Sequence, residues 1–522
     1  MGKLRADLQR DGFHLIETHI SWVFVGADEV FKVKRPVDFG FLDFTSKEAR
    51  EKACHAEVEL NRRLASDVYL GVVPVTVDGS GNHAFGGAGN VVDYAVHMRK
   101  LDEAGRADRR LTEDRLTHED IDALAHRVAE FHQEARCDEE TTQHGAPSVI
   151  RRNVEENFDQ TRDSIGEFLT DGEARSVETW QLEFLQHEDR FEARQRSKAV
   201  RDGHGDLRLE HVYFRDSSIS IIDCIEFNDR FRYGDVCADI AFLSMDLAWH
   251  GRVDLAERFL AAYVRETQDF ALYSVVDFYE SYRAFVRGKI ASFLAFDPQA
   301  SNAARDRARS EARRYFMLSL AFERPPLVPP QVVAVGGMIA CGKSRNASII
   351  GELLSAPVVS SDRLRKHILG ARPEESLESA PWSGAYSAET TERVYEAVWS
   401  AAETVVSSGR PVVLDASFRT RAMRGRARQL AESLGVPFTF VECLAPREVI
   451  HERLAKREAD GGLHESDART NLLDEFERRY EPATELPEKL TMKLDTSQPK
   501  SVTLEALRAR FAVSSRATPG PR

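Results

Sequence analysis

The chain has 522 residues, 42% of them hydrophobic and 30% charged, with 31 glycines and 19 prolines; that length and balance fit two large or three ordinary globular domains and exclude wholesale disorder and collagen. No apolar run approaches the ~20 residues of a membrane span, and the opening MGKLRADLQRDGF has no apolar h-region, so neither a membrane nor a secretory signal is expected. The net charge of −14 is uneven: residues 326–522 carry 27 Lys and Arg against 26 Asp and Glu, a net of +1, and the first 325 carry 44 against 59, a net of −15.

This charge step predicts two units of different character. The acidic first part weighs against nucleic acid as its partner, since phosphate backbones call for a basic surface; the near-neutral second part leaves nucleic acid open. Six cysteines (54, 137, 224, 237, 341, 443) form no CxxC pair, which argues against a zinc site or a disulfide scaffold and fits a reducing, cytoplasmic setting.

In chain order, Ile20 to Val25 and Glu29 to Lys34 read as strands around the turn Gly26-Ala27-Asp28. Ser46 to Leu64 reads as a helix and Val91 to Met98 as another strand, whose Tyr94-to-Met98 stretch would face adenine at an interlobe hinge. From Thr117 to Ser292 helical patterns dominate, with one strand-turn-strand near 211–223. Ser301 to Phe322 is a further helix. Four prolines in Arg324-Pro325-Pro326-Leu327-Val328-Pro329-Pro330 then mark a spacer. Beyond it, strands at 332–335, 357–360, 411–414 and 437–442 alternate with helices, the pattern of a parallel α/β sheet. The predicted division is 1–324 (small lobe to about 100, helical lobe 101–324), linker 325–330, second domain 331–513 and a frayed tail 514–522.

Two lysines of the strand Val30-Phe31-Lys32-Val33-Lys34 share a face, because strand side chains alternate. One is expected to contact ATP phosphates. Lys32 is preferred, with Glu57 on the next helix as its ion-pair partner, and Lys34 is the alternative; all three also fit a solvated face. Further on, His204-Gly205-Asp206-Leu207-Arg208-Leu209-Glu210-His211 precedes a hairpin whose second strand ends in Asp223. That hairpin returns Asp223 beside Asp206 and His211. Phosphoryl transfer needs such a grouping, one carboxylate to take a hydroxyl proton and another to hold Mg²⁺. Asp235 and Asp239 are candidates for orienting this loop or for anchoring the lobe.

These residues resemble the aminoglycoside-phosphotransferase and choline-kinase-like family. HGDLRLEH stands for its HGDxxxxN loop, and IIDCIEF for its metal-binding strand end. The resemblance covers most of residues 15–320. It implies a two-lobed α+β protein-kinase-like fold, ATP and Mg²⁺ as cofactors, Asp206 as catalytic base and Asp223 as chief metal ligand. His211 departs from the pattern by replacing Asn, and an imidazole suits Mg²⁺ less well than oxygen.

In the second half, Gly337-Met338-Ile339-Ala340-Cys341-Gly342-Lys343-Ser344 matches GxxxxGK[ST] between an apolar strand and a helix. Gly337 and Gly342 let backbone N–H groups wrap a phosphate, Lys343 reaches the β/γ-phosphates and the Ser344 hydroxyl ligates Mg²⁺. Val412-Val413-Leu414-Asp415 places a second carboxylate for the metal shell. Asp362 ends another short strand, at the sheet edge where ligands bind; it is a candidate proton acceptor, or else a helix N-cap. Arg453, Lys456 and Arg457, ahead of Gly461-Gly462, read as a lid over the transferring phosphoryl group or as a solvated helix, with Arg457 the catalytic candidate. Arg419, Arg421, Arg424, Arg426 and Arg428 form a cluster that could bind a phosphate-bearing substrate or simply face solvent. GMIACGKS, SSDRLRK, VVLDASF and the late arginines resemble the small-molecule and polynucleotide kinase branch of P-loop proteins, which implies an α/β P-loop NTPase domain of about 190 residues.

The expectation is a fused pair, resembling bacterial bifunctional phosphotransferase/ATP-binding proteins, that moves phosphate from ATP to a hydroxyl-bearing small molecule. Two alternatives stand beside it: the P-loop half as an ATPase switch on the first half, and the first half as a pseudokinase scaffold.

Overall fold

A computed structural model describes residues 2–10, 12–38, 40, 42–216, 218–298, 300–320, 326–373, 375–377, 383–459 and 470–511. The Gly461-Gly462 break, the tail 514–522, and Arg324 and Pro325 of the spacer lie outside them; residues 326–330 carry no regular structure. The chain forms two compact units. The first is Met1–Gly251 with Phe278–Phe322, and the second is Glu323–Arg522 together with Arg252–Asp277. Among the described residues no helix is long and apolar enough to cross a membrane.

The first unit opens with helix α1 (Gly2–Arg10) and a six-stranded antiparallel sheet: β1 (His14–Glu17), β2 (Ser21–Val25), β3 (Glu29–Lys34), β4 (Tyr69–Val77), β5 (His83–Phe85) and β6 (Asn90–Arg99), in the order β1-β2-β3-β6-β4-β5. Strand β4 is hard to read from sequence because Gly71 and Pro74 interrupt it. It accommodates Pro74 because β5 pairs only with Val75, Thr76 and Val77. Helix α2 (Lys47–Ala65) starts at Ser46, whose hydroxyl accepts from the Ala49 N–H. Its buried stripe runs Arg50, Ala53, Cys54, Glu57, Val58, Asn61, Leu64 at helical spacing, so Glu57 is a carboxylate set into a packing face.

The rest of the unit is helical, with two short ribbons. One pairs β7 (Val200–Asp202) with β10 (Tyr233–Asp235), which the helical reading of this stretch did not anticipate; the other is the expected hairpin β8 (Val212–Arg215) and β9 (Ser218–Ile221). Helix α3 (Val236–Trp249) is buried almost all round, as a central helix must be.

The second unit is a five-stranded, all-parallel sheet in the order β12-β13-β11-β14-β15: β11 (Val332–Gly337), β12 (Val358–Ser360), β13 (Val412–Asp415), β14 (Phe438–Leu444) and β15 (Thr491–Asp495). Every residue of β11 and β13 is buried, which explains their unbroken apolar runs. The edge strand β15, TMKLD, lacks that signature and went unpredicted.

Helix α4 (Val253–Thr267) and the turn Phe270–Ser274 belong to this same unit. Arg410 pairs with Glu257 at 2.8 Å and Asp277 at 2.9 Å, lies 5.5 Å from the Tyr273 ring centroid and is 7% exposed. Arg363 donates to the Arg265 carbonyl at 2.8 Å. Removing one member of a buried ion pair leaves the other charged and unanswered. Arg410→Ala is therefore expected to lower the stability of the second unit by about 3 kcal/mol in urea unfolding. Residues 326–522 expressed alone, which lack Glu257, Tyr273 and Asp277, should show the same deficit; an unchanged midpoint in both would overturn the assignment.

Candidate active site

In the first unit the predicted residues converge. Lys32 Nζ donates to Glu57 Oε1 at 2.8 Å and to Asp223 Oδ1 at 2.5 Å. Burial pulls the Lys32 ammonium down, but Asp223 and Glu57 outweigh it and hold the group well above its usual range. Lys34, two residues on and on the same face, is fully buried between Glu57 Oε2 (2.5 Å) and Glu226. It is sealed in, whereas Lys32 keeps 12% exposure beside a half-exposed Asp223. Glu57 thus anchors both lysines.

Asp206 lies on the loop between β7 and β8. Arg208 grips it with Nε and Nη2 at 2.9 and 3.0 Å and also pairs with Glu210. Burial pushes the Asp206 carboxyl up, but Arg208 and His211 hold it well below the ordinary carboxylate range. The loop itself is clamped by Asp239 on α3, which accepts from the His204 and Gly205 N–H groups at 2.6 and 2.8 Å. Gly205 has φ +84°, and a Cβ there would meet the Phe231 carbonyl at 2.8 Å, so only glycine fits. Asp235 is a further anchor, pairing with Arg194 at 2.7 and 2.8 Å.

Two histidines bind this loop to the Asp223 strand. Buried His204 accepts the Asp206 N–H on Nδ1 (3.3 Å) and donates from Nε2 to the Ile222 carbonyl (3.0 Å). Burial holds it neutral, down to about 4. His211 Nδ1 donates to the Asp206 carbonyl (2.8 Å), and its Nε2 lies 3.4 Å from Arg208 Nη2 and 3.7 Å from Asp223 Oδ2. Asp223 itself has φ +66°, and its N–H donates to the Tyr69 hydroxyl at 3.1 Å. Burial raises its carboxyl, yet Lys32 and His211 hold it far below the usual range. Asp206, His211, Asp223, Lys32 and Glu57 therefore form one contiguous group. Sequence reasoning missed His204, Arg208, Glu226 and Asp246, whose Oδ2 accepts the Leu209 N–H at 2.9 Å. An open cavity of about 700 Å³ lies apart from this group, lined by Asp67, Arg127 and Arg215 among others.

Among the described residues no cluster of three or more His, Cys, Asp or Glu could hold a metal. The first unit offers two candidate donors, the Asp223 carboxylate and the His211 Nε2. That number suits Mg²⁺, which keeps several waters and takes its other oxygens from substrate phosphates.

In the second unit the glycine-rich turn runs from β11 into α5 (Lys343–Leu354). Gly337 has φ +138° and Gly342 +87°; a Cβ on Gly337 would meet the Cys443 carbonyl at 2.4 Å. Lys343 curls over the turn, Nζ donating to the Met338 carbonyl at 2.7 Å, and Ser344 follows it in the first turn of α5. Asp415, 5% exposed, ends β13 opposite Val335 of β11. Asp362 lies in the first turn of α6 (Ser361–Ile368), but the N-cap is Ser360, so the alternative reading of Asp362 as a cap does not hold. Asp362 attracts Arg457, which belongs to the later helix Arg447–Ala459 and is pulled down by burial and then by Arg453. Arg453 is tied to the Ala340 carbonyl (3.2 Å) and the Thr496 carbonyl (2.6 Å), while Lys456 is exposed. The three expected lid cations thus divide into one bound to the glycine-rich turn, one facing Asp362 and one in solvent. The arginine cluster divides too. Arg424 is fully buried and bidentate on Glu485 at 2.6 and 2.9 Å, and Arg428 pairs with Glu432.

The fold and these groupings define a chain of two kinase-type domains. Residues 30–279 match the family described as Phosphotransferase enzyme family, and residues 332–483 match the family described as AAA domain. The chain belongs to the same family as an uncharacterized protein of Mycobacterium tuberculosis, with which it is 32% identical over 442 residues, 84% of this chain and 85% of the relative; a Mycobacterium bovis protein matches equally. Among solved structures it is similar to a GDP complex of aminoglycoside 2'-phosphotransferase-IIIa (15% identity, 58% of this chain and 91% of that chain, TM-score 0.32). A gluconokinase from Sinorhizobium meliloti is also similar (23% identity, 35% and 95%, TM-score 0.26).

Proposed function

We propose that the protein is an ATP- and Mg²⁺-dependent phosphotransferase in which both units transfer a γ-phosphoryl group to a hydroxyl of a small molecule. The observation that carries this is Lys32 held between Glu57 and Asp223, with Asp206 and Asp223 on either side of His211. This assembled set favours a working first unit over a scaffold.

In that reading Lys32 binds the α/β-phosphates and Glu57 fixes its position. Asp223 and His211 Nε2 would hold Mg²⁺, which would supply positive charge to neutralise the transferring phosphoryl group. Asp206, ionised at neutral pH, accepts a hydrogen bond from the acceptor hydroxyl and orients its oxygen. As the new P–O bond forms and the bond to the ADP oxygen breaks, the hydroxyl proton passes to Asp206. So weak a base takes the proton late, which suits a loose transition state. In the second unit Gly337, Gly342 and Lys343 cradle the phosphates, Ser344 and Asp415 would hold the metal, Asp362 receives the hydroxyl proton and Arg457 answers the developing charge.

The test is transfer of label from γ-labelled ATP to pools of hydroxyl compounds by the full chain, with Lys343→Ala and Asp206→Asn variants. Each variant should remove labelling of a different acceptor. Hydrolysis of ATP with no labelled acceptor in any pool would instead support the switch reading.

A further inference from the structure

Two buried ionic groups of the first unit take no part in the transfer described above: Lys34 and Glu226. Lys34 Nζ pairs with Glu226 Oε1 and, at 2.5 Å, with Glu57 Oε2. The Lys34 side chain is fully buried and that of Glu226 is 4% exposed. The ammonium also lies 5.5 Å from the Phe44 ring centroid. Burial pulls it down, but Glu226 and Glu57 outweigh burial and hold it above its usual range. Burial raises the Glu226 carboxyl, and Lys34 is the first charge to oppose that. Stability alone does not call for such a pair, since well-packed apolar residues often serve as well or better.

With the site residues these two groups close a ring of alternating charge. Asp223 pairs with Lys32, Lys32 with Glu57 Oε1, Glu57 Oε2 with Lys34, and Lys34 with Glu226, three residues beyond Asp223. Because Lys34 occupies one Glu57 oxygen, Lys32 meets the other alone, and the plane of that carboxylate is fixed. Bound nucleotide draws Lys32 toward the phosphates, so the Lys32–Asp223 link is the one that opens. The Glu57–Lys34–Glu226 half of the ring then still joins α2 and β3 to the segment carrying Asp223. The start of that segment is held separately: the Asp223 N–H donates to the Tyr69 hydroxyl at 3.1 Å and the Cys224 N–H to Asn61 Oδ1 at 2.9 Å. Glu226 holds its end.

We propose that Lys34 and Glu226 are positioning residues of the first unit: they orient Glu57 toward Lys32 and hold the Asp223 segment against β3 while Lys32 turns from Asp223 to the nucleotide phosphates. The proposal rests on the kinase reading of this unit. Such supporting partners act on ligand affinity through the groups they orient, and their loss commonly costs ten- to a hundredfold.

The test uses the full chain in a Lys343→Ala background, with ATP titrated by calorimetry in the presence and absence of Mg²⁺. Combining Lys34→Met with Glu226→Met removes both charges of the pair and leaves neither one orphaned. The folded double variant should bind ATP with Mg²⁺ roughly tenfold more weakly or worse, and the gain that Mg²⁺ adds should shrink. A pair that serves packing alone would shift the urea midpoint and leave both readouts at their parental values, and that result overturns the proposal. Should the double variant fail to fold, Glu226→Gln keeps the shape and an oxygen for Lys34 while removing the charge. It should weaken the same binding several-fold, and parental affinity there overturns the proposal equally. The kinase reading is scored separately by Lys32→Met, which should abolish ATP binding in this background; retained binding would sink that reading whatever Lys34 and Glu226 do.

Discussion

Asp206→Asn is expected to lower phosphoryl transfer by the first unit by roughly 10²- to 10⁴-fold, the usual contribution of a positioned general base. Nucleotide affinity should largely persist. The asparagine keeps the volume but cannot take a proton at neutral pH. It also turns one acceptor oxygen into a donor amide facing Arg208, which now reaches both carboxylate oxygens at 2.9 and 3.0 Å. One of those two hydrogen bonds is lost, so modest destabilisation should accompany the catalytic loss. The backbone of the loop is held by other groups, Asp239 on the His204 and Gly205 N–H groups and Asp246 on Leu209, and these are untouched. Single-turnover transfer measured beside nucleotide titration separates the two effects. Transfer within tenfold of the parent would remove Asp206 from the reaction.

The parts of this site that were legible in sequence are those where chemistry fixes spacing. The turn around Gly337 and Gly342 needs residues without a Cβ, and β11 and β13 need unbroken apolar runs because they are buried. A hairpin returns its second strand beside the start of its first, so Asp223 beside Asp206 follows from Val212 to Ile222. The choice between Lys32 and Lys34 was not legible. Alternation places both on one face, and only the burial of Lys34 against Glu226, 192 residues away, separates them. His204 and Asp246 were missed for the same reason: each acts through a backbone carbonyl or a backbone N–H supplied by another segment, and no local pattern announces such a partner. Arg424 shows the reverse error. Its place in an arginine-rich helix suggests a surface, yet it is buried on Glu485, 61 residues on. The attachment of Arg252–Asp277 to the second unit follows from ion pairs as far apart as Glu257 and Arg410, at a sequence separation of 153.

Asp223→Ala should abolish the dependence of nucleotide binding to the first unit on Mg²⁺. The carboxylate is the half-exposed member of the group, and its second oxygen lies 3.7 Å from the His211 Nε2, so it is a negatively charged donor placed for a cation there. Its first oxygen is held by Lys32 at 2.5 Å, so the ammonium and a metal compete for it. Removing the carboxylate leaves Lys32 paired with Glu57 at 2.8 Å and Lys34 sealed below, so the β3–α2 contact survives and the unit stays folded. It also takes away a partner that helps hold the Lys32 ammonium above its usual range. Magnesium-free nucleotide binding should therefore change little, because Lys32 still reaches the phosphates, while the gain that Mg²⁺ normally adds disappears. Calorimetric titrations of ATP in a Lys343→Ala background, with and without Mg²⁺, isolate the first unit and read that gain. A variant in which Mg²⁺ still strengthens binding by the parental factor would show that the metal is held elsewhere, and Asp223 would then serve only as the counter-ion of Lys32.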